Sequence, residues 1–303
     1  MEHAVVKHPT KRLPARPVNN TGGVRGVAWT DGGLVSHATG RVFFTLDGVE
    51  YACSAAVVAG VRADVVMTAA HCVSDGSGGW AQNWTFIPGY TAGRAPYGRY
   101  VAKTFYVAGR WADGSDEDDD VAFVVVKPAP GSPATGSPAK DVADLTGSEP
   151  IVFGYRSPAT TVFGYPAEAP YNGAKLDYCA GKVLADPYGA ADAGVRCAMT
   201  EGDSGGPWLS DFDPATGSGF ITGVTSFKYA GAQRVVYSAD LGAVAQALYT
   251  RAERVLPGNN SSIWRARAKS AAVRPPAEWV DRVSVTAFHA IAMSGWWPAR
   301  SAR

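Results

Sequence analysis

Short apolar segments separated by turn residues constrain the fold of this chain more than any other feature. Runs of roughly four to eight β-branched and aromatic residues recur in both halves, with Gly, Pro, Asn, Asp or Ser between them. The chain has 35 Gly and 20 Pro among 303 residues, which favours many turns over long helices. Strands at such regular spacing are typical of an all-β sandwich or barrel.

Individual runs predict hairpins and one helix. RVFFTLD and EYACSAAVV flank Gly48 and predict a hairpin that begins at Arg41. The Pro- and Ser-rich residues 128–139 predict a long connection that joins two subdomains. A helix is expected over Leu241–Val255, where apolar residues recur at helical spacing: Leu241, Val244, Ala245, Leu248 and Tyr249.

The chain divides into three regions by composition. We expect an irregular N-terminal arm over residues 1–40, a folded domain over 41–256 and a C-terminal tail over 257–303, to which no function is assigned.

No apolar leader segment is visible at the start, and no apolar run approaches the roughly 18 residues of a membrane span. A formal net charge of +1 argues against a nucleic-acid partner, and no membrane partner is expected either.

Four cysteines fall in two close pairs. The simplest interpretation is two disulfides, Cys53–Cys72 and Cys179–Cys197, although three connectivities are formally open. Disulfides indicate an oxidising compartment and hence a secreted, extracellular protein. The alternative is four buried free thiols.

Three segments contain the residue types needed to hydrolyse a peptide bond. They are TAAHC at 68–72, DDDVAFVVV at 118–126 and EGDSGGPW at 201–208. Hydrolysis by covalent catalysis needs an activated nucleophile, a base that takes its proton and a group that orients the base. Ser, His and Asp fill these three roles.

Together these segments resemble the trypsin/chymotrypsin family over roughly residues 35–255, in a style close to bacterial secreted trypsin-like peptidases. The resemblance identifies His71, Asp120 and Ser204 as a catalytic triad, in the family's His–Asp–Ser order. It implies a chymotrypsin-like double antiparallel β-barrel with a C-terminal helix. It also implies a monomeric serine endopeptidase that acts on proteins or peptides without a cofactor or metal.

The resemblance also assigns roles. Ser204 attacks the scissile carbonyl, His71 takes its proton, and Asp120 orients the histidine. The backbone amides of Gly202 and Ser204 form the oxyanion hole. An acidic run, Asp116, Glu117, Asp118 and Asp119, precedes Asp120 and is either a solvated loop or a calcium site.

The expected substrate pocket departs from trypsin. Ala198 stands six residues before Ser204, where trypsin has the acid that selects Lys and Arg. The resemblance places Ser226, Phe227 and Lys228 on the substrate-binding strand. Ala198 and Met199 predict a preference for apolar or small side chains, whereas Lys228 at the pocket rim favours acidic ones; the apolar preference is ranked first.

Activation of the enzyme is the least constrained part of the prediction. The family's usual activation motif is absent, and Arg25–Gly26–Val27 and Arg41–Val42 are weak candidate cleavage sites. Arg156 is a candidate partner for Asp203. Two other functions stay open: a non-catalytic binding protein on the same fold, and a serine esterase.

Overall fold

A computed structural model of the 303-residue chain describes residues 10–11, 24–129, 139–230 and 232–254. Most of the predicted arm and connection and the whole predicted tail lie outside these residues. The described strands are β1 Thr10–Lys11, β2 Val27–Ala28, β3 Thr39–Leu46, β4 Val49–Val57, β5 Val65–Thr68, β6 Gln82–Pro88, β7 Tyr100–Val107, β8 Ala122–Val126, β9 Ala159–Gly164, β10 Asp177–Ala185, β11 Ala193–Arg196, β12 Pro207–Asp213, β13 Ser218–Tyr229 and β14 Val235–Ser238. The helices are α1 Gly33–Ala38, α2 Gly109–Gly114, α3 Val142–Thr146 and α4 Ala243–Ala252, with 3₁₀ turns at Ala70–Cys72 and Glu117–Asp119.

Six antiparallel strands close the first barrel, in the order β3–β4–β5–β8–β7–β6. The predicted hairpin at Gly48 is confirmed, because Leu46 at the end of β3 pairs with Val49 at the start of β4. Gly48 itself adopts a φ of 77°, a left-handed conformation that glycine enters without steric cost.

The second barrel is also a ring of six antiparallel strands. Its order is β13–β12–β9–β10–β11–β14, and β13 also pairs with β14, which closes the ring. Two short strands add to its outside: β2 pairs with β10, and β1 lies parallel to the end of β13 at Lys228 and Tyr229. The predicted all-β double barrel is therefore confirmed.

The uninterrupted apolar run of β8 is explained by burial on both faces. Val124 and Val126 point into the core of the first barrel, whereas Phe123 and Val125 pack in a second core that both barrels share. A strand buried on both faces needs no polar alternation. Asp120, two residues before this strand, is thereby placed at the junction of the barrels.

Residues 24–40 belong to the folded domain, so the irregular arm predicted over 1–40 does not extend to Arg41. Trp29 makes edge-to-face contacts with the rings of Phe163, Tyr178 and Phe212, at centroid distances of 5.7, 5.4 and 5.3 Å. α1 then leads directly into β3. Aromatic packing over distant strands orders this segment, although its own sequence has no periodicity.

The C-terminal helix is shorter than its prediction, since α4 covers Ala243–Ala252 rather than Leu241–Val255. Leu248 and Ala245 are buried against the shared core as expected. Val244, which was predicted on the apolar face, is 41% exposed.

Both predicted disulfides are present, Cys53–Cys72 and Cys179–Cys197. Each cross-links one barrel and leaves no described cysteine free. Among the described residues, no helix has the length and apolar character needed to cross a membrane.

Candidate active site

His71 and Asp120 form a closely bonded pair at the junction of the barrels. His71 lies in the 3₁₀ turn after β5, and Asp120 lies between a second 3₁₀ turn and β8. The Nδ1 of His71 is 2.7 Å from Oδ2 of Asp120, and the backbone amide of His71 donates to Oδ1 at 2.8 Å. Two bonds to one carboxylate hold both the ring and the backbone of the histidine in place.

A third donor completes the environment of Asp120. The hydroxyl of Ser226, on β13 of the second barrel, donates to Oδ2 of Asp120 at 2.5 Å. Asp120 is fully buried, so its charge relies on these donors in place of water. The predicted triad acid therefore contacts groups from both barrels.

Ser204 lies in the tight turn before β12 and is fully buried. Gly202 adopts a φ of 101°, and a Cβ at this position would lie 2.7 Å from the carbonyl oxygen of Tyr165. A Cβ on Gly206 would lie 1.9 Å from the carbonyl oxygen of Phe163. Gly202 and Gly206 of GDSGGP are thus required because the backbone of the turn packs directly against β9 and the residues that follow it, which leaves no room for a side chain.

Ser54 is a site residue that the sequence analysis missed. Its amide donates to the carbonyl of Ser204 at 2.7 Å, and its hydroxyl donates to the carbonyl of Gly202 at 2.8 Å. The same hydroxyl accepts from the amide of Tyr165 at 2.9 Å. Its only sign in the sequence is a polar residue within the apolar run ACSAAVV.

The second ring nitrogen of His71 is the one that faces the reaction in a triad of this type. Among the described residues, Nε2 of His71 makes no hydrogen bond, although it is buried. Catalytic hydrogen bonds of this kind are often long before substrate binds.

Two residues of the acidic run before Asp120, Asp116 and Asp119, form ion pairs with Arg110. Arg110 bonds to Asp116 and lies 3.2 Å from Asp119. Burial raises the pKa of Asp119, and Arg110 opposes that rise. In the described part of the chain, the one group of three potential metal ligands is Cys53, Cys72 and His71, and its cysteines are joined in a disulfide.

An apolar cavity of about 150 Å³ opens beside His71. It is bordered by the β3–β4 hairpin on one side and by α2 on the other. Its lining includes Phe44, Leu46, Tyr51, Cys53 and Trp111. It therefore offers space for a side chain within reach of the histidine.

Comparison with known proteins agrees with this geometry. The family model described as Trypsin matches residues 35–239. The chain belongs to the trypsin family. It is a serine-type endopeptidase domain of that family, as the motifs predicted.

Two solved structures are similar over almost their whole length. The protease Anisep from Arthrobacter nicotinovorans is 36% identical, and the match covers 72% of this chain and 95% of the Anisep chain with a TM-score of 0.66. The thermostable serine protease AL20 from an extremophilic microorganism is 33% identical, and the match covers 73% of this chain and 98% of the AL20 chain with a TM-score of 0.66. A curated relative, the extracellular metalloprotease of Bacillus subtilis (strain 168), is 33% identical over 72 residues, which are 24% of this chain and 23% of that protein.

The structure buries two of the residues that the resemblance assigned to the substrate pocket, Met199 and Phe227. Met199 is fully buried with its side chain in the core of the second barrel, and its carbonyl accepts from Lys228 on β13. Phe227 is also fully buried and stacks on Tyr237 at 5.2 Å. Ala198 is partly exposed.

Lys228 is almost fully buried. It is 4% exposed, and its ammonium group donates to the carbonyl of Met199. Its backbone lies opposite Thr10 of β1 in the sheet, near the end of β13. The long side chain therefore bridges inward to the segment that leads to Ser204.

The candidate activation residues are also placed. Arg41 lies within β3, and its buried guanidinium donates to the carbonyl of Gly173 at 2.9 Å, so Arg41–Val42 is not an accessible cleavage site. Arg25 lies between Val24, which pairs with Cys197, and the strand β2. Arg156 donates to the carbonyls of Ala191 and Asp192 rather than to Asp203.

Proposed function

We propose that this protein is a secreted endopeptidase that cleaves proteins or peptides through an acyl-enzyme formed on Ser204. The observation that carries the proposal is the doubly bonded pair of His71 and Asp120, with Ser226 as a third anchor. This arrangement leaves Nε2 of His71 as the ring nitrogen that can take a proton from the nucleophile.

The steps follow from this geometry. Ser204 attacks the scissile carbonyl while His71 takes its proton, and the developing imidazolium is stabilised by the buried Asp120. His71 then gives the proton to the leaving amine, and water releases the acyl group by the reverse sequence. The amides of Gly202 and Ser204 donate to the oxyanion, in a turn whose shape Ser54 maintains.

The surroundings of the triad support a peptide substrate. The apolar cavity beside His71 would hold a substrate side chain next to the cleaved bond. The two disulfides support an oxidising, extracellular location. We propose that the protein acts as a monomer and needs no cofactor, nucleic acid or membrane.

The decisive variant is Ser204→Ala. We expect it to lower kcat/KM on a mixed peptide library by about 10⁶-fold, because the nucleophile of a triad cannot be replaced by the remaining members. Cleavage products are identified by mass spectrometry, and a fluorophosphonate reagent reports whether Ser204 is labelled in the wild type.

Ser210→Ala is the matched control. Ser210 is a fully buried serine on β12 that bonds to Thr222, and this change should leave both labelling and cleavage in place. A folded wild type that is neither labelled nor active would contradict the proposal and favour a binding protein on this fold. Ester turnover without peptide cleavage would favour an esterase.

A further inference from the structure

We propose that Lys228 selects substrates with an acidic side chain, Glu or Asp, on the residue before the cleaved bond. This inference rests on the proposed endopeptidase function and assigns its substrate class. It reverses the preference for apolar or small side chains that the sequence suggested.

Lys228 lies on the strand that anchors the triad. Its neighbour two positions earlier on β13 is Ser226, which bonds to Asp120. Side chains two residues apart on a strand share a face, so Lys228 projects from the face of β13 that Ser226 directs towards the triad. The strand is also tied to the nucleophile turn, because the amide of Gly205 donates to the carbonyl of Thr225 at 2.7 Å.

The ammonium group of Lys228 reaches the opposite wall of this region. Its one hydrogen-bond partner among the described residues is the carbonyl of Met199, five positions before Ser204. This bond joins β13 to the segment that precedes the nucleophile. We expect the substrate side chain to lie between these two segments, because one is bonded to the triad acid and the other leads to the nucleophile.

The charge of Lys228 has no carboxylate partner among the described residues. The residue is 4% exposed, and no ion pair links it to an acidic group of the described chain. Burial of an ammonium group is favourable when an anion faces it. The carbonyl of Met199 is neutral and accepts only one of the three N–H groups of the ammonium. A substrate carboxylate would supply both the missing charge and a second acceptor.

The other surfaces near Lys228 do not compete for this role. The side chain of Met199 is turned into the barrel core, and Phe227 is stacked in an aromatic cluster on Tyr237 and Tyr229. Ala198 contributes only a methyl group. The cation of Lys228 therefore decides which substrate charge is accepted, since a basic side chain would be repelled.

The test compares matched internally quenched peptides that differ only in the residue before the cleaved bond: Glu, Asp, Gln, Leu or Lys. We expect kcat/KM for Glu to exceed that for Gln by about 10- to 100-fold, the range of a charge-assisted hydrogen bond. Lys228→Met keeps the length of the side chain and removes the charge, so its ratio of Glu to Gln should fall to about one. Lys103→Met removes an exposed lysine on β7 and should keep the wild-type ratio.

Three further results make the test decisive. Equal cleavage of the Glu and Gln peptides by the wild type, or an unchanged ratio in Lys228→Met, would overturn the inference while leaving the endopeptidase function intact. If Lys228→Met does not fold, Lys228→Arg keeps the cation and should preserve the preference for Glu. If no peptide is cleaved and Ser204 is not labelled, the inference is tested by binding alone. The Ser204→Ala variant is titrated with N-acetylated peptide amides that end in Glu or in Gln. Equal affinities for the two peptides would refute the inference.

Discussion

At the scale of single residues, Ser54 determines the shape of the nucleophile turn. Its hydroxyl both donates to Gly202 and accepts from Tyr165, so it joins β4 of the first barrel to two segments of the second. Its amide also bonds to the carbonyl of Ser204. A single buried serine therefore positions both the carbonyl of Gly202 and the backbone of the nucleophile Ser204.

We predict that Ser54→Ala impairs catalysis more than it impairs folding. Loss of the hydroxyl leaves the buried amide of Tyr165 without its acceptor, which should lower the free energy of unfolding by about 1–3 kcal/mol. Displacement of Gly202 should lower kcat/KM by roughly 10²-fold, because small misplacements of the reacting groups are costly.

Urea unfolding and peptide cleavage measure the two effects. The comparison is Ser210→Ala, which removes an equally buried hydroxyl from β12 and should reduce stability alone. Equal loss of kcat/KM in both variants would mean that Ser54 has only a structural role.

At the scale of secondary-structure elements, α4 joins the end of the second barrel to the first. The hydroxyl of Tyr249 donates to the carbonyl of Ala59 at 2.7 Å, and its ring lies 5.5 Å from that of Phe123. The carboxylate of Glu253, directly after the helix, accepts from the amide of Arg62 at 2.8 Å. A short helix is thus held by tertiary contacts rather than by its own propensity.

We predict that Leu248→Ala lowers the free energy of unfolding by about 2–5 kcal/mol, because it leaves a cavity in the core shared by the barrels. Leu248 is 4% exposed in that core. Val244→Ala, on the same helix but 41% exposed, should change stability by less than about 0.5 kcal/mol. Urea unfolding of the two variants checks the difference, and equal effects would show that the helix does not pack as described.

At the scale of the whole molecule, Glu149 lies where the two barrels meet. Its amide donates to the carbonyl of Val57 in the first barrel at 3.0 Å. Its Oε2 accepts from Ser218 and Gly219 at the start of β13, in the second barrel. Its Oε1 is buried without a partner among the described residues, and burial raises the pKa of Glu149 to about 7.

This raised pKa predicts that stability falls as the pH rises through neutrality. The folded protein binds a proton at Glu149 that the unfolded chain, with a pKa near 4.5, has already released. The stabilising contribution is complete below pH 4.5 and is lost as the pH passes about 7, by roughly 3 kcal/mol in total. Glu149→Gln should remove this part of the pH dependence.

Urea unfolding at pH values between 5 and 9 tests the prediction. Burial also raises the pKa of Glu253 to about 7. Glu253→Gln is therefore measured alongside, and it should remove a separate part of the pH dependence of the free energy of unfolding. An unchanged slope in Glu149→Gln would show that the carboxyl is ionised at the junction of the barrels.

The sequence by itself determined the parts of this protein that depend on local constraints. Strand-length apolar runs and turn glycines predicted an all-β sandwich or barrel, the resemblance of the three motifs to the trypsin family implied a double barrel, and close cysteine pairs predicted the disulfides. GDSGGP is informative because side chains at Gly202 and Gly206 would collide with the neighbouring backbone. Such requirements restrict residue type at a position, and are therefore visible in one sequence.

Only the tertiary structure decided the contacts that join distant segments. Ser54 meets Gly202 across 148 positions, and Lys228 turns inward to Met199 across 29. The direction of the lysine depends on how β1 and β13 pair and on where the side chain of Met199 packs. A buried serine or an inward-pointing lysine leaves no periodic pattern, because its partners are set by closure of the barrels rather than by its neighbours in the chain.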